Sequence, residues 1–478
     1  MDKQVENSRS TKFVKDLGIY AVGNIGSKLI TFLMVPLYTY FVPDTSDFGY
    51  YDIYLTACFL LMPFLTLQLR DGSFRFLMDA GEKATREQIV SFTLRALSVT
   101  IVLGLIIAFS LSLFCQIKYL WYAYGLLLSL SLQDVLSQIL RGLGHNKAFA
   151  VVGILTAIGI GLFSIVFVAW LGMGIKGIFI ANILARILSL VIVEVKTRLI
   201  TSHINLSCDV QKVGRSILGY SLPLLPGSLF WWLSGSSDRW FIMHYLGLDV
   251  NGVYAVAIRF TGIITTLSII FYQAWQETSL QQYESEDRNS FFTNVFNGYI
   301  YILAFIVVVY SFVLKICYGW LVAPGYQASV AYIYPLALSA MLFSVVAFFD
   351  MGYQCAKDTI RTLPAIVLSA LVNVILNFLL VPLLNVWGAI LTLLVTNTTL
   401  VVYRWHDMHR YFRLSVFRSS LGFIGLVLVS AVPYFLSSAR WQDWVYLMIA
   451  VTIFIWYCPT AIKEKILHKT HQMHNKLQ

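Results

Sequence analysis

Fourteen apolar stretches, each about as long as a helix needs to cross a bilayer, follow one another from Val14 almost to Lys463 with few residues between most of them. A chain so patterned folds as an all-α polytopic membrane protein. The spans run approximately over 15–41, 48–69, 89–114, 119–140, 149–171, 174–195, 216–246, 250–275, 292–320, 328–352, 361–383, 386–405, 417–437 and 442–462. No polar stretch is long enough for a soluble catalytic or nucleotide-binding domain, so the membrane portion does the work. The polar segment before the first span lacks the short apolar core and cleavage site of a signal peptide, and that span is expected to be permanent.

Only 12% of the residues are charged, which makes their placement informative. With the N-terminus in the cytoplasm, the cytoplasmic loops and tails carry Lys and Arg at nearly every turn, from Lys3 to Lys476, whereas the opposite side holds Lys118, Lys176 and Arg440. That asymmetry places both termini in the cytoplasm of a plasma-membrane protein. The net charge of +10 is then a matter of topology and anionic headgroups, and implies no nucleic-acid partner. Six scattered cysteines without CxxC spacing read as small apolar residues. His468, His471 and His474, in the tail, have no acidic or thiol neighbours to complete a metal site, and no cofactor is expected.

The chain repeats itself. Gly49-x-Tyr51 follows the long first span and Gly252-x-Tyr254 follows the long seventh, so spans 7–12 restart on the side where spans 1–6 began. A six-plus-six parallel repeat is a transporter architecture with its binding site between the halves. The expected organisation is a cytoplasmic N-terminus (1–14), a first six-helix bundle (15–196), a cytoplasmic linker (197–215), a second bundle (216–405), an interfacial segment (406–416), two additional helices (417–462) and a cytoplasmic tail (463–478).

A few charges fall inside spans, where ionised groups are costly and usually face partners or a hydrated pathway. Lys28 lies at the middle of span 1, sharing a helical face with Asn24 and Thr31; Arg186 is similarly central in span 6, with Asn182 four residues before it and Ser189 three after. On span 7, Ser228, Trp231, Trp232, Gly235, Asp238 and Arg239 trace a polar and aromatic stripe. Arg239 lies about 10 Å and Arg259, on span 8, about 13 Å from the outer ends of their spans. Lys28, Arg186, Arg239 and Arg259 therefore form the candidate cationic cavity, with Asp134 and Asp238 as the nearest acids. The cations outnumber those acids, and the surplus suits an anionic ligand, because Arg grips phosphate in bidentate fashion. The alternative is that the charges pair with one another and lock helices together. Asn373 and Asn377, four residues apart on span 11, either line the cavity, where they join Asn24, Asp134 and Asp238 as polar or ion-coupling candidates, or bond across helices. Arg95, Glu277, Asp350 and Lys315 lie near span ends and read as reaching the headgroups. Pro36, Pro63, Pro223 and Pro226 are expected to kink their spans. No GxxxxGK[ST] loop, HExxH, GxSxG or paired-carboxylate constellation stands out, and a non-enzymatic transporter outweighs an intramembrane transferase.

Gly18-x4-Gly23-Asn24-x2-Ser27-Lys28, Pro36-Leu37-Tyr38 and Phe48-Gly49-x-Tyr51 resemble the opening of the bacterial polysaccharide flippases, the O-antigen (Wzx-type) branch of the multidrug/oligosaccharidyl-lipid/polysaccharide (MOP) exporter superfamily. Pro223-x2-Pro226, Ser237-Asp238-Arg239-Trp240-Phe241-Ile242, Tyr245-Leu246-Gly247-Leu248 and Gly252-x-Tyr254-x2-Ala257 are similar to that family's junction of helices 7 and 8. The resemblance spans roughly residues 10–405. It implies a V of two six-helix bundles that moves an undecaprenyl-diphosphate-linked oligosaccharide (an O-antigen, capsule or exopolysaccharide unit) to the outer leaflet. It implies proton or sodium antiport as the energy source, and a polymerase and glycosyltransferases as partners. Within transporters the rivals are a peptidoglycan-precursor or drug exporter of the same superfamily; from another class, the rival is a scaffold of a polysaccharide synthase complex.

Overall fold

A computed structural model describes residues 30–457 except 31, 199, 206, 287 and 438; Asn24, Lys28 and the histidines of the tail lie outside the described residues. Every expected span has a helical counterpart. The described part of span 1 is α1 (Phe32–Phe41), and the first half continues through α2 (Thr45–Thr66), α3 (Leu69–Asp79), α4 (Lys83–Phe114), α5 (Leu120–Gly142), α6 (Asn146–Trp170) and α7 (Gly174–Thr197). The second half comprises α8 (Gln211–Ser221), α9 (Leu225–Ser236), α10 (Asp238–Leu246), α11 (Leu248–Gln282), α12 (Arg288–Leu321), α13 (Val330–Cys355), α14 (Thr362–Leu384) and α15 (Val386–Met408); α16 (Arg418–Leu436) and α17 (Arg440–Trp456) follow. Eleven of these helices are long and apolar enough to cross a membrane by themselves.

Span 7, expected as one kinked helix, is broken twice. Pro223 occupies a 3₁₀ turn, Leu222–Leu224, and Pro226 stands in the first turn of α9, where a missing N–H costs nothing. The second break has no proline. Ser237 Oγ donates to Leu233 O (2.9 Å) and to Asn373 Oδ1 (2.8 Å), while Asn373 Nδ2 donates to Ser234 O (3.2 Å). An amide from α14 thus inserts into the helix ladder, a recognised cause of a kink. Asp238 then opens α10, where a carboxylate favours the helix N-terminus. The segment between spans 2 and 3, read as a loop, is the amphipathic α3, docked on α5 and α8.

The apolar surface divides as a lipid solvent requires. α4 turns Val99, Val102, Ile106, Ile107 and Phe109 outward, whereas Phe48, Tyr254, Phe260 and Tyr326 are completely buried in a core shared by both halves. α16 and α17 pack on α12, with Phe423, Val427 and Phe454 buried there.

Candidate functional site

The halves cross where the sequence repeats itself. A β-carbon on Gly49 would lie 2.1 Å from Leu248 O, and one on Gly252 would lie 2.0 Å from Thr45 O. Each glycine of the Gly-x-Tyr pair admits the backbone of the opposite helix one turn before its twin, so α2 and α11 meet backbone to backbone. Asn251 Nδ2 donates to Gly49 O (3.2 Å), and Tyr326 Oη donates to Val42 O (2.7 Å) and Asp44 O (3.1 Å). These bonds seal the end of the bundle that carries the α1–α2 and α10–α11 junctions.

One turn below the crossing lies a charged node. Asp52, on α2, approaches Arg239 Nε at 3.0 Å and Arg259 Nη2 at 3.7 Å, so one carboxylate from the first half bridges two guanidiniums of the second. Arg239 Nη1 also lies 3.5 Å from Asp238 Oδ1, and Tyr254 Oη donates to Asp238 Oδ2. Arg259 stacks over Phe48 (4.3 Å) and Tyr51 (5.0 Å). Trp232 Nε1 reaches across to Thr56 O at 2.9 Å, adding another bond between the halves.

This arrangement corrects the expected surplus of cations at Arg239 and Arg259. Two arginines meet two carboxylates, and the node is neutral overall. Sequence reasoning missed Asp52; its position three residues after Gly49, on the repeat itself, was the available signal. Asp134 does not belong to the cluster. It pairs with Arg70 at 2.9 Å, tying α3 to α5.

Arg186 differs. Its Nη1 donates to Asn182 O and Oδ1, both at 2.9 Å, and Nε is buried without a hydrogen-bond partner. No ion pair to Arg186 is present among the described residues. Tyr38, Tyr51 and Cys58 lie within its electrostatic reach. The rest of its stripe fastens the first half internally: Ser189 Oγ meets Thr156 Oγ1 at 2.7 Å, and Gln133 Nε2 donates to the same Thr156 oxygen at 2.7 Å.

Asn373 bonds across helices, and Asn377 supports it from one turn further along α14. Both are fully buried; Asn377 Nδ2 donates to Asn373 Oδ1 (2.8 Å), and Asn373 also reaches Thr396 Oγ1 (3.2 Å). Their work is to hold the break after α9.

Two charges assigned to headgroups are interhelical locks. Arg404 is 1% exposed and salt-bridged to Asp350, joining α15 to α13. Lys315 lies 3.1 Å from Asp443 and donates to Tyr434 O (2.6 Å), binding α12 to the facing ends of α16 and α17.

Beside the node, on the second-half side, opens a cavity of about 380 Å³ lined by α9, α11, α13 and α15. Arg239 forms one end of it and Trp231 and Phe343 the other.

A repeated helical bundle, a broken seventh span, and intramembrane charges gathered between halves beside a cavity define a polytopic membrane protein of the MOP exporter fold. The solved structures agree. An inward-facing MATE-family multidrug resistance transporter of the MOP superfamily aligns with 81% of this chain and 95% of its own at 12% identity and TM-score 0.64. The lipid II flippase MurJ in an inward closed conformation aligns with 97% of this chain and 100% of its own at 13% identity and TM-score 0.58. A MOP superfamily transporter from Pyrococcus furiosus, described as having a binding pocket of reverse polarity, aligns with 83% and 96% at 15% identity and TM-score 0.56. No curated protein matches the sequence. The polysaccharide biosynthesis protein family model matches residues 13–276, more than half of the chain, and the protein belongs to that family.

Proposed function

We propose that the protein is a flippase that carries an undecaprenyl-diphosphate-linked oligosaccharide from the cytoplasmic to the outer leaflet of the bacterial plasma membrane. The observation that carries the reading is Arg186, an intramembrane guanidinium with no carboxylate of its own among the described residues and with its Nε buried and unbonded. A guanidinium in that setting is completed by a diphosphate. Lys28, placed by the sequence at a similar depth, belongs to the same anion site in this reading. The proposal includes cytoplasmic termini, ion-coupled alternating access by proton or sodium antiport, and a polymerase and glycosyltransferases as neighbours in the pathway. In that orientation the sealed end faces outward, and the substrate enters from the cytoplasmic side.

The test is Arg186→Ala in cells that depend on this protein for a surface glycan. Export should fail, the lipid-linked intermediate should accumulate, and the protein should remain in the membrane; Arg186→Lys should retain part of the activity. Normal export by Arg186→Ala would remove the anion site. A second reading, a lipid-linked cell-wall precursor as cargo, is favoured by one observation: the alignment with the lipid II flippase extends over 97% of this chain, α16 and α17 included. Accumulation of a cell-wall precursor instead of a surface-glycan intermediate would select it.

A further inference from the structure

The cavity of the second half has a chemistry different from that of the Arg186 site. α11 contributes Ile258, Thr261, Gly262 and Thr265, and α13 contributes Leu336, Ser339, Ala340 and Phe343, each a single stripe with steps of three and four. From Leu336 to Phe343 the wall descends about 10 Å. Its floor is aromatic: Trp231 and Phe343 meet edge to face with centroids 5.8 Å apart, and Trp231 is 39% exposed. An indole left half-open in a cavity of mixed lining presents an apolar face beside hydrogen-bonding groups.

Those walls accept hydrogen bonds. Ser234 Oγ donates to Trp231 O (3.0 Å), Thr261 Oγ1 to Ala257 O (3.2 Å) and Thr265 Oγ1 to Gly262 O (2.8 Å), so each hydroxyl has spent its proton on its own helix. Asn397 directs its amide N–H groups at Ser339 O (3.2 Å) and Oγ (2.9 Å). What Ser234, Thr261, Thr265 and Asn397 keep free is oxygen lone pairs and the Asn397 carbonyl, which suit a ligand rich in O–H donors. The charge is already balanced, since Arg239 is matched by Asp52 and Asp238. An anion gains little there.

We infer that this cavity is a subsite for an uncharged, polyhydroxylated sugar ring, stacked on Trp231 with its hydroxyls donating to the Ser234, Thr261, Thr265 and Asn397 oxygens. The inference rests on the flippase reading and divides the cargo: diphosphate toward Arg186 in the first half, sugar in the second. Gly235 and Gly262 complete it. Both line the cavity, and a β-carbon on either would meet nothing within 4 Å, so their small size leaves ligand space and serves no helix contact.

That open space supplies the test. Purified protein in nanodiscs is titrated with undecaprenyl diphosphate and with the same lipid bearing one N-acetylhexosamine, read by native mass spectrometry. Wild type should bind the sugar-bearing lipid about tenfold more tightly, the scale of one aromatic stack with hydrogen bonds. Gly262→Leu, Gly235→Val and Trp231→Ala should each erase that difference while leaving affinity for the bare diphosphate and the melting temperature unchanged; Trp231→Phe should keep most of it. Persistence of the full difference in Gly262→Leu and Gly235→Val overturns the subsite. So does wild type that binds both lipids equally, an outcome that leaves the diphosphate site standing if Arg186→Ala still weakens the bare lipid. Binding of neither lipid refutes the flippase reading and the subsite together.

Discussion

Replacing Gly49 with alanine should tilt the protein away from the sealed conformation. The new methyl carbon would start 2.1 Å from Leu248 O and 2.9 Å from Leu248 C, where ordinary contact begins at 3.4 Å. Both obstructing atoms are backbone, so no rotamer change relieves them and the helices must part by about an ångström. Overpacking of this kind costs about 2 kcal/mol. The cost falls only on the state in which α2 and α11 touch, so the equilibrium should move about 30-fold toward opening at that end. The assay is labelling of a cysteine placed at Ser236, in a background without the native cysteines, by a membrane-impermeant maleimide added on the sealed side. Gly49→Ala and Gly252→Ala should both accelerate labelling and slow export, whereas Gly219→Ala, at a glycine with nothing within 4 Å, should do neither. Wild-type labelling in both crossing variants would refute the gate.

Asp52→Asn leaves two guanidiniums facing one amide and should destabilise the sealed state by about 3–5 kcal/mol, the cost of orphaning a buried charge. Removing Arg259 as well should recover part of that loss in a thermal melt; additive losses would deny the bridge. Asp350→Asn should lower the melting temperature by a comparable free energy, because Arg404 is 1% exposed and has no route to headgroups, and pairing it with Arg404→Leu should restore stability. At the α2 N-terminus, hydrogen bonds from Ser46 hold the Asp44 carboxyl below its usual range. Its capping contribution is therefore present above the ordinary carboxylate range and fades as pH falls through that lowered value. Asp44→Ala should cost about 1 kcal/mol at neutral pH and should flatten the acid limb of the stability profile.

Hydropathy made the helices legible because lipid demands a continuous apolar run for every crossing, and among the described residues each span is helical. Partners were harder to read, because they depend on which residues from distant spans share a depth. The break after Ser236 depends on Asn373, far away in sequence, and a single-span pattern carries no sign of it. Arg404 and Asp350 each stand within two residues of the end of their spans, and depth alone does not tell a headgroup contact from the pair they form. Lys315 fits a headgroup role by depth; only the turn between α16 and α17 shows that Ser437 and Asp443 come to meet it. At the node the arginines were visible as unusual residues inside spans. Their carboxylate was not, because Asp52 lies only four residues inside span 2, where its depth alone does not set it apart from a charge at the interface.

The repeat also explains why a symmetric contact carries asymmetric chemistry. Thr45 matches Leu248, Gly49 matches Gly252 and Tyr51 matches Tyr254 at one constant offset, so the crossing looks nearly the same from either half. At that offset the counterpart of Asp52 is Ala255, which is completely buried. An aspartate at both positions would place a second carboxylate beside the same crossing, where repulsion would oppose closure. With one, the first half lends the Asp52 carboxylate to the two arginines of the second, whose own Asp238 already offsets one of them. Opening then separates a net negative α2 from a net positive second half, and water entering the gap replaces what the ion pairs lose. The energy of the gate is thereby set by hydration as well as packing, and the glycine crossing decides when that hydration begins.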